Sequence, residues 1–380
     1  MPNNDDKRNA YPAERRTETT VKKTVCAYTS LLNAEPRCHR GVGYKNSVSK
    51  FHMLVMSKCI ELHNALIDET YHTEYGEEFE IYEPKYRIVT STKYKDRIPQ
   101  TSFVLNYYYK EIIPRLIDRN FACLKGRGVD VARNTFKDIL QKAEPTDYVL
   151  KADLKNYFGS IEHEKLIAEL KQYIRDEWAI KYYADVINCN DKPYGIGLGS
   201  EINQLSATTF TNKLDHMLDA MKHTYEKYMD DFTYVGTKAE CEYALSLIYE
   251  EASRLNLTVS KNKTYIQPIS KPIRFLGFTF LRHDDGKVTL KRIKQKRNNE
   301  RRKLRRMKEK SVPFERVLEH FNAVMAVYKK GSRSGYIKMW RYFNELFKEE
   351  IDEFNKKEQC SGGNEQQKER FAVSPYCRTD

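Results

Sequence analysis

The sequence of 380 residues contains no run that approaches the roughly 18 consecutive apolar residues of a membrane-spanning helix. Its first nine residues are polar, so the N-terminus also lacks the apolar segment of a secretory signal. These absences remove the usual sequence features of membrane and secreted proteins. We therefore expect a cytoplasmic protein with no membrane partner.

Closely spaced cysteine pairs are also absent. The eight cysteines are scattered along the chain, and no Cys-x-x-Cys pair occurs among them. Zinc sites are usually built from such pairs, so a zinc site is not expected. Free thiols in a reducing compartment are the simplest interpretation.

Acidic residues are too few to balance the basic ones. The sequence has 53 Asp and Glu residues and 66 Lys and Arg residues, which gives a net charge of +13 and a pI of about 9.1. Such an excess favours a polyanionic partner, with nucleic acid first and an anionic membrane surface second. At this length the chain can bury an ample core in two or three subdomains.

The two ends of the chain show no regular pattern. Residues 1–40 mix charge, Pro and Thr without periodicity and predict a flexible arm, and the polar residues 358–380 predict a disordered tail. Apolar residues at helical spacing predict helices over residues 48–67, 100–118 and 205–221. Pro114 predicts that the second of these kinks or ends early.

Two adjacent carboxylates, Asp230 and Asp231, are flanked on both sides by aromatic and β-branched residues. This pattern predicts a strand, a tight turn and a second strand, with the acids at the tip. Adjacent carboxylates repel each other, so they are tolerable on a solvated turn or around a divalent cation held with a third acid. Both interpretations remain open for the motif alone.

A candidate for that third acid is Asp153, which lies near the end of the mostly apolar run 148–154. The run resembles a buried strand, and a buried carboxylate is costly unless it is paired or bound to metal. Asp153 is therefore a candidate ligand. The alternative is that it caps the turn after the strand.

Three basic segments are candidate anion sites. Lys85 and Arg87 are two residues apart, so on a strand they would share a face and could grip a triphosphate, unless they are solvated surface charges. Lys125 and Arg127 alternate with glycine in a loop that can approach a phosphate backbone. Residues 291–310 hold 12 Lys or Arg against two Glu, which favours phosphate contact over a solvated helix face. The nucleic-acid-binding candidates in this segment are Arg301, Arg302, Arg305 and Arg306.

The order of these motifs resembles that of a reverse transcriptase over about residues 75–350. Asp153 with Phe158 five positions later resembles the first palm motif, and residues 228–231 resemble the signature turn of the family. The other similar segments are residues 84–87 and 95–97 (fingers), 195–204 (a loop and helix), 263–264 (the following motif) and 275–278 (the primer grip).

Among the bacterial branches, the chain is most similar to reverse transcriptases of diversity-generating retroelements and their unclassified, often defence-associated relatives. Residues 121–128 and the loop-helix motif carry this likeness. Leu198, Gly199 and Gln204 match the diversity-generating pattern, whereas Asn203 replaces its serine.

The resemblance implies an α+β fold of the right-hand polymerase type, with fingers, a palm built on an antiparallel sheet, and a helical thumb. The expected parts are an N-terminal helix and fingers at 41–145, a palm at 146–290 with a fingers insertion at about 160–195, and the thumb at 291–357.

The resemblance also implies nucleotidyl transfer with two Mg²⁺ ions, for which Mn²⁺ could substitute. The implied metal ligands are Asp153, Asp230, Asp231 and the backbone carbonyl of Leu154. Lys263 would protonate pyrophosphate, and Phe158 would exclude a ribose 2′-hydroxyl. Nucleotide contacts are also implied for Leu198 and Gln204, and the primer grip for Phe275, Leu276 and Gly277.

The implied function is RNA-directed DNA synthesis from an RNA template, a DNA primer and dNTPs. Leu198 stands where accurate relatives usually carry Gln, so we expect error-prone copying; the alternative is that Leu198 only packs under the loop. Further candidate partners are a structured non-coding RNA, an accessory protein and a second copy of the chain. One alternative is self-primed or template-independent synthesis in phage defence. Another is a non-catalytic RNA-binding scaffold, against which the three intact acids argue.

Overall fold

The computed structural model describes residues 18–82, 86–190, 192–222 and 224–360, without the side chains of residues 18, 19 and 357–360. Three predicted features lie outside these residues: the first 17 residues of the arm, Lys85, and the tail beyond residue 360.

The described chain mixes helices with antiparallel strands. The first group of helices is α1 (Glu18–Cys26), α2 (Tyr28–His39), α3 (Asn46–Met53), α4 (Val55–Ile67), α5 (Tyr94–Phe103), α6 (Tyr109–Glu111), α7 (Val129–Lys142), α8 (Tyr157–Ser160) and α9 (His163–Lys171). The second group is α10 (Glu177–Asn188), α11 (Glu201–Phe210), α12 (Asn212–Met221), α13 (Lys238–Arg254), α14 (Lys294–Glu309), α15 (Phe314–Tyr328), α16 (Arg333–Leu346) and α17 (Lys348–Cys360). The strands are β1 (Glu77–Ile81), β2 (Arg87–Ser91), β3 (Tyr148–Asp153), β4 (Glu226–Tyr228), β5 (Asp231–Gly236), β6 (Tyr265–Pro268), β7 (Ile273–Phe275), β8 (Phe278–Arg282) and β9 (Val288–Arg292).

The chain divides into two compact units, and the first comprises Met1–Ile139 and Thr146–Pro268. Its centre is an antiparallel sheet with the strand order β4-β5-β3-β6. The apolar side chains of the sheet are buried, and α13 packs against β3 and β5. A capping box starts α13, because Thr237 Oγ1 accepts from the Glu240 backbone N–H while the Glu240 carboxylate accepts from the Thr237 N–H.

The predicted flexible arm is wrong for residues 18–39, which form α1 and α2. Val21 and Val25 are four residues apart and both buried, and Leu31 and Ala34 of α2 are fully buried as well. These few apolar positions stand among charged residues, and Pro36 lies inside α2. The helical spacing was therefore hidden in the sequence, although it is enough to dock both helices on the core.

The single helices predicted over 100–118 and 205–221 are both interrupted. After α5 the chain makes a π-helical turn over Val104–Tyr108, and Pro114 falls in the short 3-10 turn that ends the segment. Proline lacks the N–H that an α-helix would need at this point. The second helix breaks at Thr211, between α11 and α12.

The hairpin of β1 and β2 stands on the same unit with most of its surface exposed. Glycine is required where the chain packs against it. A Cβ atom on Gly199 would lie 2.0 Å from the carbonyl oxygen of Thr90, and one on Gly76 would lie 1.9 Å from that of Ser91. The backbone of the 195–199 loop can therefore reach β2 only through glycine.

The second unit comprises Leu140–Pro145 and Ile269–Asp380. It contains the antiparallel sheet β7-β8-β9 and the helices α14 to α17. Its core includes Leu304 of α14 and a ring stack between Phe321 and Phe343, whose centroids are 3.7 Å apart. No described helix is both long and apolar enough to cross a membrane.

The apolar residues 275–281 are divided between two strands. Leu276 (φ 41°) and Gly277 (φ 87°) make a tight turn between β7 and β8. Positive φ at two successive residues suits a two-residue hairpin. A second hairpin follows, with Gly286 (φ 80°) in the turn between β8 and β9.

A buried ion pair joins the central sheet to the break between α11 and α12. The Lys227 ammonium and the Asp215 carboxylate are 2.7 Å apart, and both side chains are 0% exposed. Lys227 also donates to the Thr208 carbonyl (3.0 Å) and to the Thr211 hydroxyl. Burial lowers the pKa of Lys227 and raises that of Asp215, and the charge of each partner opposes the other's shift.

We predict that Lys227→Met lowers the free energy of unfolding by about 3–5 kcal/mol, because Asp215 is left as an uncompensated buried charge. Adding Asp215→Leu should regain most of that loss, since both charges are then removed. Urea unfolding of the wild type and the two variants measures this. Equal stability of the single and double variants would show that burial of the charge is not the source of the cost.

Candidate active site

Three carboxylates meet at one end of the central sheet. Asp153 is the last residue of β3 and lies directly across the sheet from Asp231, the first residue of β5. Asp230 occupies the two-residue turn between β4 and β5. The sequence-predicted acids are therefore brought together, because adjacent antiparallel strands end at the same edge.

The turn that carries Asp230 is strained at Met229. Met229 has φ 61°, a left-handed conformation that a two-residue hairpin usually gives to glycine. The Met229 side chain packs against the core, and its sulfur lies 3.8 Å from the Thr208 hydroxyl. The packing holds a conformation that would otherwise be unfavourable, as is common where function needs a fixed geometry.

Two lysines neutralise part of the acid cluster. Lys263 Nζ lies 2.5 Å from Asp153 Oδ1, and Lys151 Nζ lies 2.9 Å from Asp231 Oδ1. Lys151 was not identified from the sequence. Its signal was its position two residues before Asp153, since alternate residues of a strand share a face and diagonal neighbours across a ladder can pair.

The two lysines pair with Asp153 and Asp231, so the negative charge of the acid cluster that they leave lies on Asp230. Burial, followed by the like charge of Asp153, raises the pKa of Asp230 to about 6. Burial also raises the pKa of Asp231, although the Lys151 ammonium opposes that shift. Asp153 and Asp230 thus form a pair of carboxylates that repel each other unless a cation lies nearby.

The donor set at this sheet edge fits a hard divalent cation. Carboxylate oxygens are the ligands that Mg²⁺ prefers, and the two lysine ammoniums already supply positive charge to Asp153 and Asp231. The Leu154 backbone also belongs to the site, because its N–H donates to the Asp230 carbonyl at 3.3 Å. The strand register brings the three acids to this edge, although within the described residues their side chains are not gathered into a metal-binding group of three or more His, Cys, Asp or Glu.

The glycine-rich loop places three further candidates beside one another. The Ile196 N–H donates to the Phe158 carbonyl at 3.0 Å, which ties the loop to α8. Gln204 Nε2 donates to the Leu198 carbonyl at 3.0 Å, and Asn203 Nδ2 donates to the Gly197 carbonyl at 3.1 Å. Asn203, the departure from the family pattern, therefore helps to fold the loop.

Arg87 is exposed at the start of β2, opposite Ile81. Lys85 lies outside the described residues, so a shared face for the two cations stays a prediction.

Two of the predicted nucleic-acid contacts are arginines with structural partners. Arg127 donates to the carbonyls of Ile117 (2.8 Å) and Asn120 (2.9 Å), which folds its own loop. Arg301 stacks over the Tyr342 ring at 4.6 Å. A phosphate contact by either arginine stays a prediction. The exposed side chains among the predicted set are Lys125, Arg302, Arg305 and Arg306.

The predicted primer-grip residues form the turn between β7 and β8. Phe275 is buried, whereas Gly277 accepts a hydrogen bond from the Ile293 N–H at 3.4 Å. The turn is thereby fixed to the residue that precedes α14. A primer contact by Phe275, Leu276 and Gly277 stays a prediction.

The raised pKa of Asp230 predicts how the stability of the metal-free protein depends on pH. The folded state binds this proton more tightly than the unfolded state, whose carboxyl has its ordinary pKa of 3.8. The contribution is therefore complete below pH 3.8 and is lost as the pH rises through about 6. Thermal unfolding in EDTA across this range should show a larger loss in the wild type than in Asp230→Asn, because Asp231 keeps its raised pKa in the variant. The same pH slope in both proteins would contradict this assignment.

Comparison with solved structures finds telomerases at low similarity. The apo telomerase from Candida tropicalis has 10% identity and a TM-score of 0.44, over 79% of this chain and 69% of its own. The same enzyme truncated from the C-terminal domain has 12% identity and a TM-score of 0.41, over 57% and 55%. Telomerase from Candida albicans in complex with the TWJ fragment of telomeric RNA has 12% and 0.41, over 74% and 58%. The chain thus spans little more than half the length of two of these proteins.

No curated protein matches the sequence. The family described as reverse transcriptase (RNA-dependent DNA polymerase) matches residues 82–280, which is just over half of the 380 residues. This segment contains all three carboxylates, the glycine-rich loop and both lysines of the acid cluster. The match confirms the α+β right-hand polymerase fold and the predicted enzyme class. The chain belongs to the reverse transcriptase family of RNA-directed DNA polymerases, which are nucleotidyltransferases.

Proposed function

We propose that this protein copies an RNA template into DNA by adding dNTPs to a primer. The observation that carries the proposal is the meeting of Asp153, Asp230 and Asp231 at one sheet edge. Asp153 is buried, Asp230 and Asp231 are half-buried, and the like charge of Asp153 disfavours the ionised form of Asp230, so a functional role accounts for this cluster better than a structural one.

Asp153 and Asp230 are the residues that would hold Mg²⁺, or Mn²⁺ in its place, with Asp231 and the Leu154 carbonyl in support. When bound, two such ions supply charge stabilisation for an attacking hydroxyl and a leaving pyrophosphate. The Asp230 carboxylate must be ionised for this role. Its burial in a low-dielectric site therefore makes it a strong partner for a cation once the proton is lost.

The other site residues bind and orient the nucleotide. Arg87, with Lys85, would neutralise the triphosphate, and Gln204 keeps the Leu198 carbonyl in place at the loop. The Lys263 Nζ lies 2.5 Å from Asp153 Oδ1, and its ammonium group would donate a proton to a departing pyrophosphate. Phe158 would lie against the sugar and leave no room for a 2′-hydroxyl.

Within the family, we place the chain nearest to the diversity-generating and defence-associated branch, on the strength of Leu198, Gly199 and Gln204. Error-prone copying stays a prediction that depends on Leu198. This half-exposed side chain offers an incoming nucleotide apolar contact and no hydrogen bond. The exposed cations of α14, Arg302 and Arg305 among them, would hold the template-primer duplex by its phosphates.

We predict that Asp153→Asn and Asp230→Asn each abolish primer extension, with a loss of at least about 10³-fold, because each removes a metal-ligand charge. Binding of a fluorescent template-primer should be unchanged, since no phosphate contact is lost. Asp284→Asn, in the exposed turn between β8 and β9, is the matched control and should extend primers normally. Extension by either active-site variant at close to the wild-type rate would refute the assignment.

We also predict that Phe158→Ala raises incorporation of ribonucleotides relative to deoxynucleotides by about 10- to 100-fold, because space opens where the 2′-hydroxyl projects. The ratio of kcat/KM for dNTP and rNTP on one RNA template measures it. An active Phe158→Ala enzyme with the wild-type ratio would show that another residue selects the sugar.

A further inference from the structure

Lys227 makes more contacts than its place in a three-residue strand requires. Its backbone N–H donates to the Arg119 carbonyl and its own carbonyl accepts from the Phe121 N–H, both at 3.0 Å. Its side chain is fully buried and reaches α11 and α12. The next residue, Tyr228, begins the motif whose turn carries Asp230.

The contact of Lys227 with α11 is made to Thr208, which lies one turn from Gln204, a proposed nucleotide-binding residue. Lys227 Nζ donates to the carbonyl of Thr208, which lies four residues after Gln204. Residues four apart lie on one face of a helix, one turn from each other. The hydroxyl of the same Thr208 lies 3.8 Å from the sulfur of Met229. One turn of α11 therefore separates Gln204 from Thr208, which contacts both Lys227 and Met229.

The break between α11 and α12 makes these contacts available. Carbonyls in the last turn of a helix have no partner within the helix. Here the Ala207 carbonyl accepts from the Tyr157 hydroxyl at 2.6 Å, and the Thr208 carbonyl accepts from Lys227. Asp215, early in α12, receives the Lys227 ammonium and the Tyr225 hydroxyl, each at 2.7 Å. The Lys227 ammonium therefore has three directional partners, which are the Thr208 carbonyl, the Thr211 hydroxyl and the Asp215 carboxylate.

Stability alone is a weak explanation for this arrangement. A buried ion pair costs so much desolvation that apolar side chains of similar volume are often as stabilising. Apolar packing, however, does not fix a register, whereas hydrogen bonds to three defined oxygens do. What Lys227 adds over an apolar residue is therefore orientation.

We infer that Lys227 is a positioning residue for nucleotide addition. It sets the distance between two parts of the site. One is the turn with Asp230 and the adjoining start of β5 with Asp231, and the other is the helix that carries Gln204. This inference rests on the proposed polymerase function. Misplacement of reacting groups by about 1 Å can cost on the order of 10²-fold in rate. We therefore expect loss of Lys227 to reduce kcat far more than it changes the KM for dNTP.

The test uses the full chain with Lys227→Met and Asp215→Leu combined, which removes both buried charges. The matched control is Leu218→Ala, a fully buried apolar change on α12, the helix that carries Asp215. The measurements are the thermal midpoint, kcat and KM for dNTP, and hydrogen exchange of the segment 226–236 against α13 as an internal reference.

We expect the double variant to lose about 10- to 100-fold in kcat with a nearly unchanged KM. Exchange in 226–236 should accelerate while α13 stays protected. Leu218→Ala should lower the thermal midpoint at least as much and keep kcat within a few-fold of the wild type. A folded double variant with wild-type kcat and wild-type exchange would overturn the inference, and so would an equal loss of kcat in Leu218→Ala.

Failure of the proposed function would give a different result. In that case the wild type itself would not extend a primer with dNTPs. Hydrogen exchange would then still decide whether Lys227 holds the turn, because it requires no activity. Wild-type exchange in the double variant would reject the positioning role whatever the reaction is.

Discussion

The buried ion pair between Lys227 and Asp215 is the contact on which the catalytic end of the sheet depends. A lysine with 0% exposure can remain charged only beside a carboxylate, so neither residue can be changed alone without cost. The pair needs the break at Thr211, because an unbroken helix would keep its carbonyls for itself. The strained Met229 turn then rests on the same helix end. The strand that carries Lys227, the helix break at Thr211 and the Met229 turn therefore depend on one another.

The acid cluster departs from the usual pairing of buried charges in a folded domain. A domain is most stable when buried charges are paired, and Asp153 and Asp231 follow this rule through Lys263 and Lys151. Asp230 does not, since the structure shows burial and a neighbouring like charge raising its pKa. The protein keeps an unfavourable carboxylate where a cation would be most strongly bound. The lysines reduce the cost at Asp153 and Asp231 while leaving the acids in place.

Contiguous motifs were predictable from the sequence, whereas partnerships across the fold were not. Asp230 and Asp231 were recognisable because the turn and its flanking strands are adjacent in sequence, and Asp153 because an acid after an apolar run is unusual. The sequence could not reveal Lys227, because its partner on α12 is reached only through the helix break. The carbonyl partners of Arg127 could not be predicted for the same reason, because they depend on how its loop folds. Helices α1 and α2 were missed because a few buried apolar residues are sufficient when a large core already exists.

The loop beside Phe158 shows how such a site can vary without refolding. Its shape is set by main-chain bonds, from Ile196 to α8 and through the glycines that approach β2. Gln204 holds the carbonyl of Leu198, and that bond is the same whatever side chain the residue carries. The half-exposed side chain at position 198 is therefore decoupled from the fold of its own loop. Under the proposed function, a substitution there changes what an incoming nucleotide meets and leaves the backbone that presents it unaltered. On that proposal, selection can act on copying accuracy at this position with little penalty in stability, because a substitution at a partly exposed site away from the core costs little.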